Sequence, residues 1–145
     1  RVHEQVAAAF EANDPHTRGA MVELKHIARE TKDALLEGDL PRFGLLLGRN
    51  WECQKRLHPA VNNDQIERLF QVATSHGALG GKACGAGGGG CLMFYCPGES
   101  EYRVRRALAG EPGVKLLDFA FDLCGVEVWR APATGTETDW RSSGK

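Results

Sequence analysis

The chain has 145 residues, of which 42% are hydrophobic and 26% are charged, and this is enough for one domain with a buried core. Its net charge of −1 argues against nucleic acid as a partner, and no apolar run is long enough to cross a membrane. The sequence shows no signal peptide, but it begins at Arg1 rather than Met, so we interpret the chain as a fragment of a longer protein.

Residues 1–76 are predicted to be mainly helical, because apolar residues recur there at helical spacing. A first short helix stops at Asp14-Pro15, and a second helix is capped by Thr17 and ends at Gly38. Asp39 caps a third helix, and the short junction predicts that the second and third helices form an antiparallel hairpin. The residues expected to point inward in these helices are Val2, Val6, Phe10, Met21, Leu24, Ile27, Ala28, Thr31, Leu35, Phe43, Leu46, Leu47, Trp51 and Leu57.

A fourth helix is predicted to follow Pro59, which ends the helical hairpin. Asn62 or Asn63 caps this helix, and His76-Gly77 ends it. Its inward face is expected to contain Ile66, Leu69, Phe70 and Ala73.

Residues 77–130 are predicted to have the order ββαββ. Strands at 82–84 and 91–96 enclose a glycine-rich loop, a helix covers 99–108, and a hairpin at 116–129 closes the sheet. Both faces of the strand at 91–96 are apolar, which is typical of a strand in the middle of a sheet. The expected fold is α+β, with N-terminal helical hairpins followed by a ferredoxin-like antiparallel sheet that has helices on one face.

The domain organisation follows from this order. Residues 1–130 form one unit, in which the first 76 residues are mainly helical. Residues 131–145 are rich in Pro, Gly, Thr, Ser and charge, so we expect a disordered tail.

The five cysteines, Cys53, Cys84, Cys91, Cys96 and Cys124, contain no C-x-x-C pair, and their number is odd. We interpret them as buried free thiols, which are typical of a reducing cytoplasm. The five histidines are scattered and do not have the spacing of zinc ligands, so no metal site is expected.

The most informative stretch is the run Gly85, Ala86, Gly87, Gly88, Gly89 and Gly90, in which five of six residues are glycine. Such a run loses much conformational entropy on folding, and a compact domain keeps it where the backbone takes positive φ or approaches another group closely. Bare N–H groups on such a loop can point at an anion, most often phosphate. The alternative is a flexible linker, but linkers are polar, whereas this run lacks serine and has apolar flanks.

Two familiar phosphate-binding motifs do not fit this stretch. Gly85, Gly87 and Gly90 satisfy G-x-G-x-x-G, but a dinucleotide site needs a helix after these glycines, and here a strand follows. Residues 77–82 are one residue too short for a Walker A loop, and Lys82 is followed by Ala83 instead of a magnesium-binding Ser or Thr.

The run Gly80-Gly81-Lys82-Ala83-Cys84-Gly85-Ala86-Gly87-Gly88-Gly89-Gly90-Cys91 resembles the third signature motif of the GHMP small-molecule kinases. The chain is most similar to the C-terminal half of the heptose 7-phosphate kinases of that family, and the fucokinases come next. The resemblance extends over about residues 20–129. The residues that support it outside the motif lie at 36–40, 43–47, 51–52, 55–57 and 62–69.

The resemblance implies ATP-dependent phosphoryl transfer to the hydroxyl of a sugar or sugar phosphate. It places the loop of residues 85–90 close to phosphate and substrate, and it makes Lys82 a candidate phosphate contact; the alternative for Lys82 is an ordinary strand-edge lysine. ATP and Mg²⁺ are implied, with most of their ligands outside this chain. The family's main phosphate loop, P-x-x-x-G-L-G-S-S-A, and its catalytic Asp are not in this sequence, so no catalytic residue is assigned.

Two hypotheses about partners follow. In the first, the chain needs a missing N-terminal kinase half and is inactive alone. In the second, the chain is a non-enzymatic ferredoxin-like module that binds a small anion or forms a homodimer, since the absence of a covering half can leave an apolar patch exposed.

Overall fold

The computed structural model of the protein describes residues 2–85 and 87–129. Within these residues the chain forms helices and one antiparallel pair of strands, which confirms the α+β class. In chain order the elements are α1 (Val2–Glu11), α2 (Pro15–Glu37), α3 (Leu40–Lys55), a 3₁₀ helix (Pro59–Val61), α4 (Asp64–Ser75), β1 (Gly80–Ala83), β2 (Leu92–Tyr95) and α5 (Ser100–Ala109). No helix in the described ranges is both long and apolar enough to cross a membrane.

Side-chain caps define the α2–α3 hairpin. Asp14, and not Thr17 as predicted, caps α2: its carboxylate accepts the Thr17 N–H at 2.7 Å, and Thr17 itself is buried. Gly38, at φ 70°, ends α2, and the Asp39 carboxylate accepts the Arg42 N–H at 3.0 Å, as predicted for the start of α3. Both α2 and α3 therefore begin at an Asp that caps the helix, with Pro at one of the first two helical positions.

The α2–α3 interface uses smaller residues than the sequence pattern predicted. Its buried residues are Ala20, Ile27, Ala34, Leu46 and Cys53. Leu35 and Ala28 were expected to point inward but are exposed, and Phe10 on α1 is 42% exposed. Ala20 and Ala34 lie seven residues before and after Ile27, on the same face of α2. Their small side chains let α3 approach α2 closely there, and the larger side chains of α2 turn outward.

A second core lies between α3, α4 and the strands. Trp51 is 1% exposed and stacks on Phe70 with ring centroids 5.1 Å apart, and Phe70 meets Phe94 of β2 edge-on at 4.9 Å. β1 lies against α3 through glycines: a Cβ on Gly80 would overlap the carbonyl oxygen of Gly44. The fourth helix is capped by Asn63, one of the two predicted residues. The strand pair therefore packs against both α3 and α4.

The hairpin predicted at 116–129 is not present. These residues form neither helix nor strand, and the described sheet has two strands, so β2 is not flanked on both sides. Its apolar residues are largely exposed: Leu117, Phe119, Phe121, Leu123, Val126, Val128 and Trp129. A hairpin needs a further strand or a helix to cover its apolar face, and nothing in the described residues covers this one. The ferredoxin-like sheet is thus only half formed here, and the predicted tail at 131–145 lies outside the described residues.

All five cysteines are free, but their burial differs from the prediction. Cys53 is buried, and its thiol donates to the Ala20 carbonyl oxygen at 3.1 Å. Cys96 is half-buried, and burial, with a smaller contribution from Glu101, raises the pKa of its thiol. Cys84, Cys91 and Cys124 are exposed, because the first two lie at the open end of the strand pair and the third lies within the uncovered segment.

Candidate functional site

The glycine-rich loop lies at the end of the β1–β2 hairpin. The strands pair from Gly80 opposite Tyr95 to Ala83 opposite Leu92. The ladder continues one step further, because the Cys84 N–H donates to the Cys91 carbonyl oxygen at 2.8 Å. The loop predicted from the sequence therefore connects two paired strands and is not a linker. Ala86, which was included in the predicted site, lies outside the described residues.

The backbone of the loop explains its composition. Gly85, Gly87, Gly88 and Gly90 have φ of 87°, 81°, 75° and 84°. This left-handed region disfavours any residue with a Cβ by about 1–2 kcal/mol per residue, so a run of such residues requires glycine.

One side of the loop is anchored to the segment between α3 and α4. The Gly88 N–H donates to the Val61 carbonyl oxygen at 2.6 Å, and the Asn63 side-chain amide donates to the Gly88 carbonyl oxygen at 3.1 Å. The Gln54 side-chain amide donates to the Gly85 carbonyl oxygen at 2.9 Å. A Cβ on Gly87 would lie 2.5 Å from the Val61 oxygen, so only glycine permits this approach.

The other side of the loop is bare. Gly89 and Gly90 are exposed, and within residues 2–85 and 87–129 neither forms a hydrogen bond. A Cβ at either position would meet no atom within 4 Å. The loop is thus held from behind and presents main-chain N–H groups on an open surface, which is an arrangement that can bind an anion.

Lys82 lies on β1, two residues before Cys84 and opposite Met93. Its side chain is half-buried and, in the part of the chain that the structure describes, forms no hydrogen bond or ion pair. A lysine of this kind is a ready partner for an anion, because its charge is not already neutralised by a carboxylate.

Buried polar atoms without partners lie beside the anchors of the loop. In the described residues these atoms include Trp51 Nε1, Gln54 Oε1 and Asn62 Oδ1. Gln54 holds Gly85, and Asn62 stands between the two residues that hold Gly88. Buried groups of this kind are normally satisfied by water or by a ligand hydroxyl, so the back of the loop has unused hydrogen-bonding capacity.

The residues that anchor the loop were not predictable from the sequence. Asn63 was predicted only as a helix cap. Its second role, as a hydrogen-bond donor to Gly88, has no signal in the sequence. Gln54 and Val61 have no distinctive sequence signal either. The described residues contain no group of three His, Cys, Asp or Glu side chains placed to hold a metal ion.

Two variants separate the roles of Asn63. Asn63→Asp keeps an acceptor for the Ile66 N–H, at 2.9 Å in the structure, but loses the donor to Gly88. We expect it to lower the free energy of unfolding by about 1 kcal/mol, the worth of one hydrogen bond. Asn63→Ala loses both contacts, and we expect a loss of about 2 kcal/mol. Urea denaturation measures both; Asn63→Asp as stable as the parent chain would show that the contact with Gly88 contributes nothing.

Comparisons with known proteins identify the family of this chain. Residues 31–115 match the protein family described as GHMP kinases C terminal. The D-glycero-alpha-D-manno-heptose 7-phosphate kinase of Campylobacter jejuni is 35% identical over 117 residues, which cover 81% of this chain and 34% of that protein. The L-fucokinase/L-fucose-1-P guanylyltransferase of Bacteroides fragilis is 29% identical over 113 residues, which cover 75% of this chain and 12% of that protein.

Among solved structures, the crystal structure of L. major mevalonate kinase in complex with R-mevalonate matches with a TM-score of 0.66 and 24% identity, over 74% of this chain and 33% of that chain. This similarity shows a shared fold. The chain spans about a third of the heptose kinase, at 34%, and a smaller share of the fucokinase. Because the family match covers residues 31–115, which are more than half of the chain and include the glycine-rich loop, the chain belongs to the GHMP kinases and carries their C-terminal domain.

Proposed function

We propose that this chain is the C-terminal part of a cytoplasmic, ATP-dependent sugar kinase. It transfers the γ-phosphoryl group of ATP to a hydroxyl of a heptose 7-phosphate or of a fucose-like sugar. The observation that carries the proposal is the two-sided loop: Val61 and Asn63 hold it from behind, while Gly89 and Gly90 present an unpaired backbone in front.

Phosphoryl transfer suits this arrangement because it needs positioning and charge neutralisation more than covalent chemistry from the protein. The N–H groups of Gly89 and Gly90 would donate to phosphate oxygens, and the anchors behind the loop would keep these donors in place before the substrate arrives. The Lys82 ammonium, which has no carboxylate partner in the described residues, would offset part of the negative charge.

The described residues suit the phosphates of ATP better than they suit Mg²⁺. A bare glycine backbone and an unpaired lysine suit a polyphosphate, whereas no cluster of carboxylates in the described residues suits the magnesium ion. We therefore assign Mg²⁺, the main phosphate loop and the catalytic carboxylate to a separate N-terminal half. This division of labour accords with a chain that spans 34% of the heptose kinase.

The substrate is proposed from the relatives. The heptose kinase is more similar to this chain than the fucokinase, at 35% against 29% identity.

The test is a transfer assay on the product of the complete reading frame that encodes this chain. It would be incubated with γ-labelled ATP, Mg²⁺ and, in turn, D-glycero-D-manno-heptose 7-phosphate, L-fucose and mevalonate. We expect label in the heptose phosphate, at its anomeric hydroxyl, and none in mevalonate. Transfer to mevalonate alone would refute the sugar substrate. We expect no turnover from the 145 residues by themselves, and rapid turnover from them would refute the division between halves.

A second candidate function is a non-enzymatic dimerisation module. Residues 117–129 favour it, because Leu123 and Val126 are more than 90% exposed and apolar surface of this extent marks an interaction site. Light scattering on the complete product distinguishes the two. A dimer that persists without any transfer activity would favour the module, whereas an active monomer would exclude it.

A further inference from the structure

Two cysteines face each other at the base of the glycine-rich loop. The strand register ends with Ala83 opposite Leu92, and the next residues in step are Cys84 and Cys91. The hydrogen bond of 2.8 Å from the Cys84 N–H to the Cys91 carbonyl oxygen shows that they continue the ladder. The loop therefore begins and ends at a directly opposed pair of cysteine residues.

This placement suits a disulfide. Opposed residues of a hydrogen-bonded antiparallel pair have Cα atoms about 5.5 Å apart and side chains on the same face. Disulfides join Cα atoms about 4.4–6.8 Å apart. Ala83 and Leu92 turn to the core between α3 and α4, so the neighbouring pair of cysteines lies on the opposite face, and both are exposed.

The remaining thiols lack these properties. Cys53 is buried, and its thiol donates to a carbonyl oxygen. Cys96, directly after β2, is half-buried, and Cys124 lies in the uncovered segment. Accessibility and an opposed partner therefore coincide at Cys84 and Cys91.

We propose that Cys84 and Cys91 are a reversible oxidation site that closes the base of the loop. The oxidant is a small-molecule disulfide such as glutathione disulfide. One cysteine thiolate attacks it, forms a mixed disulfide and releases one thiolate. The second cysteine thiolate then attacks the protein sulfur of the mixed disulfide, so that the Cys84–Cys91 bond forms and the second small thiolate leaves. The two cysteines lose two electrons and two protons, and the two released thiolates take up the protons.

Oxidation is expected to change the loop. Opposed Cβ atoms are about 4.5–5.5 Å apart in such a ladder, whereas a disulfide holds them about 3.8 Å apart. Closing this gap draws Gly85 and Gly90 together, while Gln54 and Val61 still hold the back of the loop. The bare N–H groups are thereby displaced. A lower affinity for ATP in the oxidised state follows, and this consequence rests on the proposed function.

The bond itself is tested by mass spectrometry of the full chain, equilibrated in mixtures of glutathione and glutathione disulfide and then alkylated. Cleavage after Lys82 and Arg103 yields one peptide that contains Cys84, Cys91 and Cys96. We expect this peptide to lose two hydrogen atoms, with alkylation at Cys96 alone, and to recover in excess glutathione. Cys84→Ser and Cys91→Ser remove the effect, while Cys124→Ser, a matched exposed thiol, retains it. A bond to Cys96, glutathione on both cysteines, or no change overturns the proposal.

The loop is tested by hydrogen exchange on the same samples. Exchange at the Gly88 amide, whose N–H donates to the Val61 carbonyl oxygen, is expected to slow several-fold on oxidation in the parent chain and in Cys124→Ser, because the bond limits local opening of the loop, but not in Cys84→Ser. Unchanged exchange in a fully bridged sample overturns the link between bond and loop. Neither measurement needs a nucleotide, so the two proposals can fail independently. If the disulfide forms but the complete product transfers no phosphoryl group, the proposed function is refuted and the proposed oxidation site is retained.

Discussion

Replacing Gly80 by alanine is expected to lower the free energy of unfolding by about 3 kcal/mol, the upper end of what overpacking normally costs. The added Cβ would overlap the Gly44 carbonyl oxygen and lie 3.0 Å from the Gly48 nitrogen. Both obstacles are backbone atoms of α3, so no rotamer change can relieve the clash. β1 must instead move away from the helix that carries Trp51, and the second core loosens as a whole.

Gly19→Ala is the matched control for this prediction. Gly19 lies in α2, and a Cβ there would meet no atom within 4 Å. Alanine is a better helix former than glycine, so this variant is expected to gain about 0.5–1 kcal/mol. Urea denaturation of the two variants against the parent measures the difference. Equal midpoints for Gly80→Ala and the parent would show that β1 does not rest on α3 as described.

Replacing Gly87 by alanine is expected to detach the loop from its anchor and, on the proposed function, to lower the affinity of the complete product for ATP at least tenfold, about 1.4 kcal/mol. The Cβ would lie 2.5 Å from the Val61 carbonyl oxygen, and the residue would have to keep φ at 81°. The positive φ costs about 1–2 kcal/mol, and the contact with Val61 adds to it. The loop then leaves the 3₁₀ helix, and its donors lose their fixed positions.

Gly85→Ala separates these two causes. Its φ is 87°, close to that of Gly87, but no atom lies within 4 Å of its Cβ position. The two variants therefore share the backbone strain, and only Gly87→Ala breaks the contact with Val61. Titration calorimetry with ATP and urea denaturation are expected to show a larger loss for Gly87→Ala in both measurements. Equal losses would mean that the contact with the 3₁₀ helix does not position the loop.

Local features were predictable from the sequence. The helical spans, the cap at Asp39, the two strands around the glycines and the left-handed turn at Gly38 depend on residues close to one another in the chain. The face that α2 buries was less predictable. Leu35 fits the helical period as well as Ala34 does, but Ala34 is fully buried and Leu35 is 51% exposed, because the close approach of α3 selects the smaller residue.

The sequence by itself determined the α+β class and the position of the glycine-rich loop, since the loop's composition and its flanking strands are local properties. The family was indicated by the resemblance of residues 80–91 to the third GHMP kinase motif. Only the tertiary structure decided what holds that loop and which of its sides is free. The bond from Gln54 to Gly85 joins residues 31 apart in the chain, and such pairs are chosen by the packing of whole helices and strands. The exposure of residues 117–129 was decided in the same way, because an apolar strand forms only where another element is present to cover it.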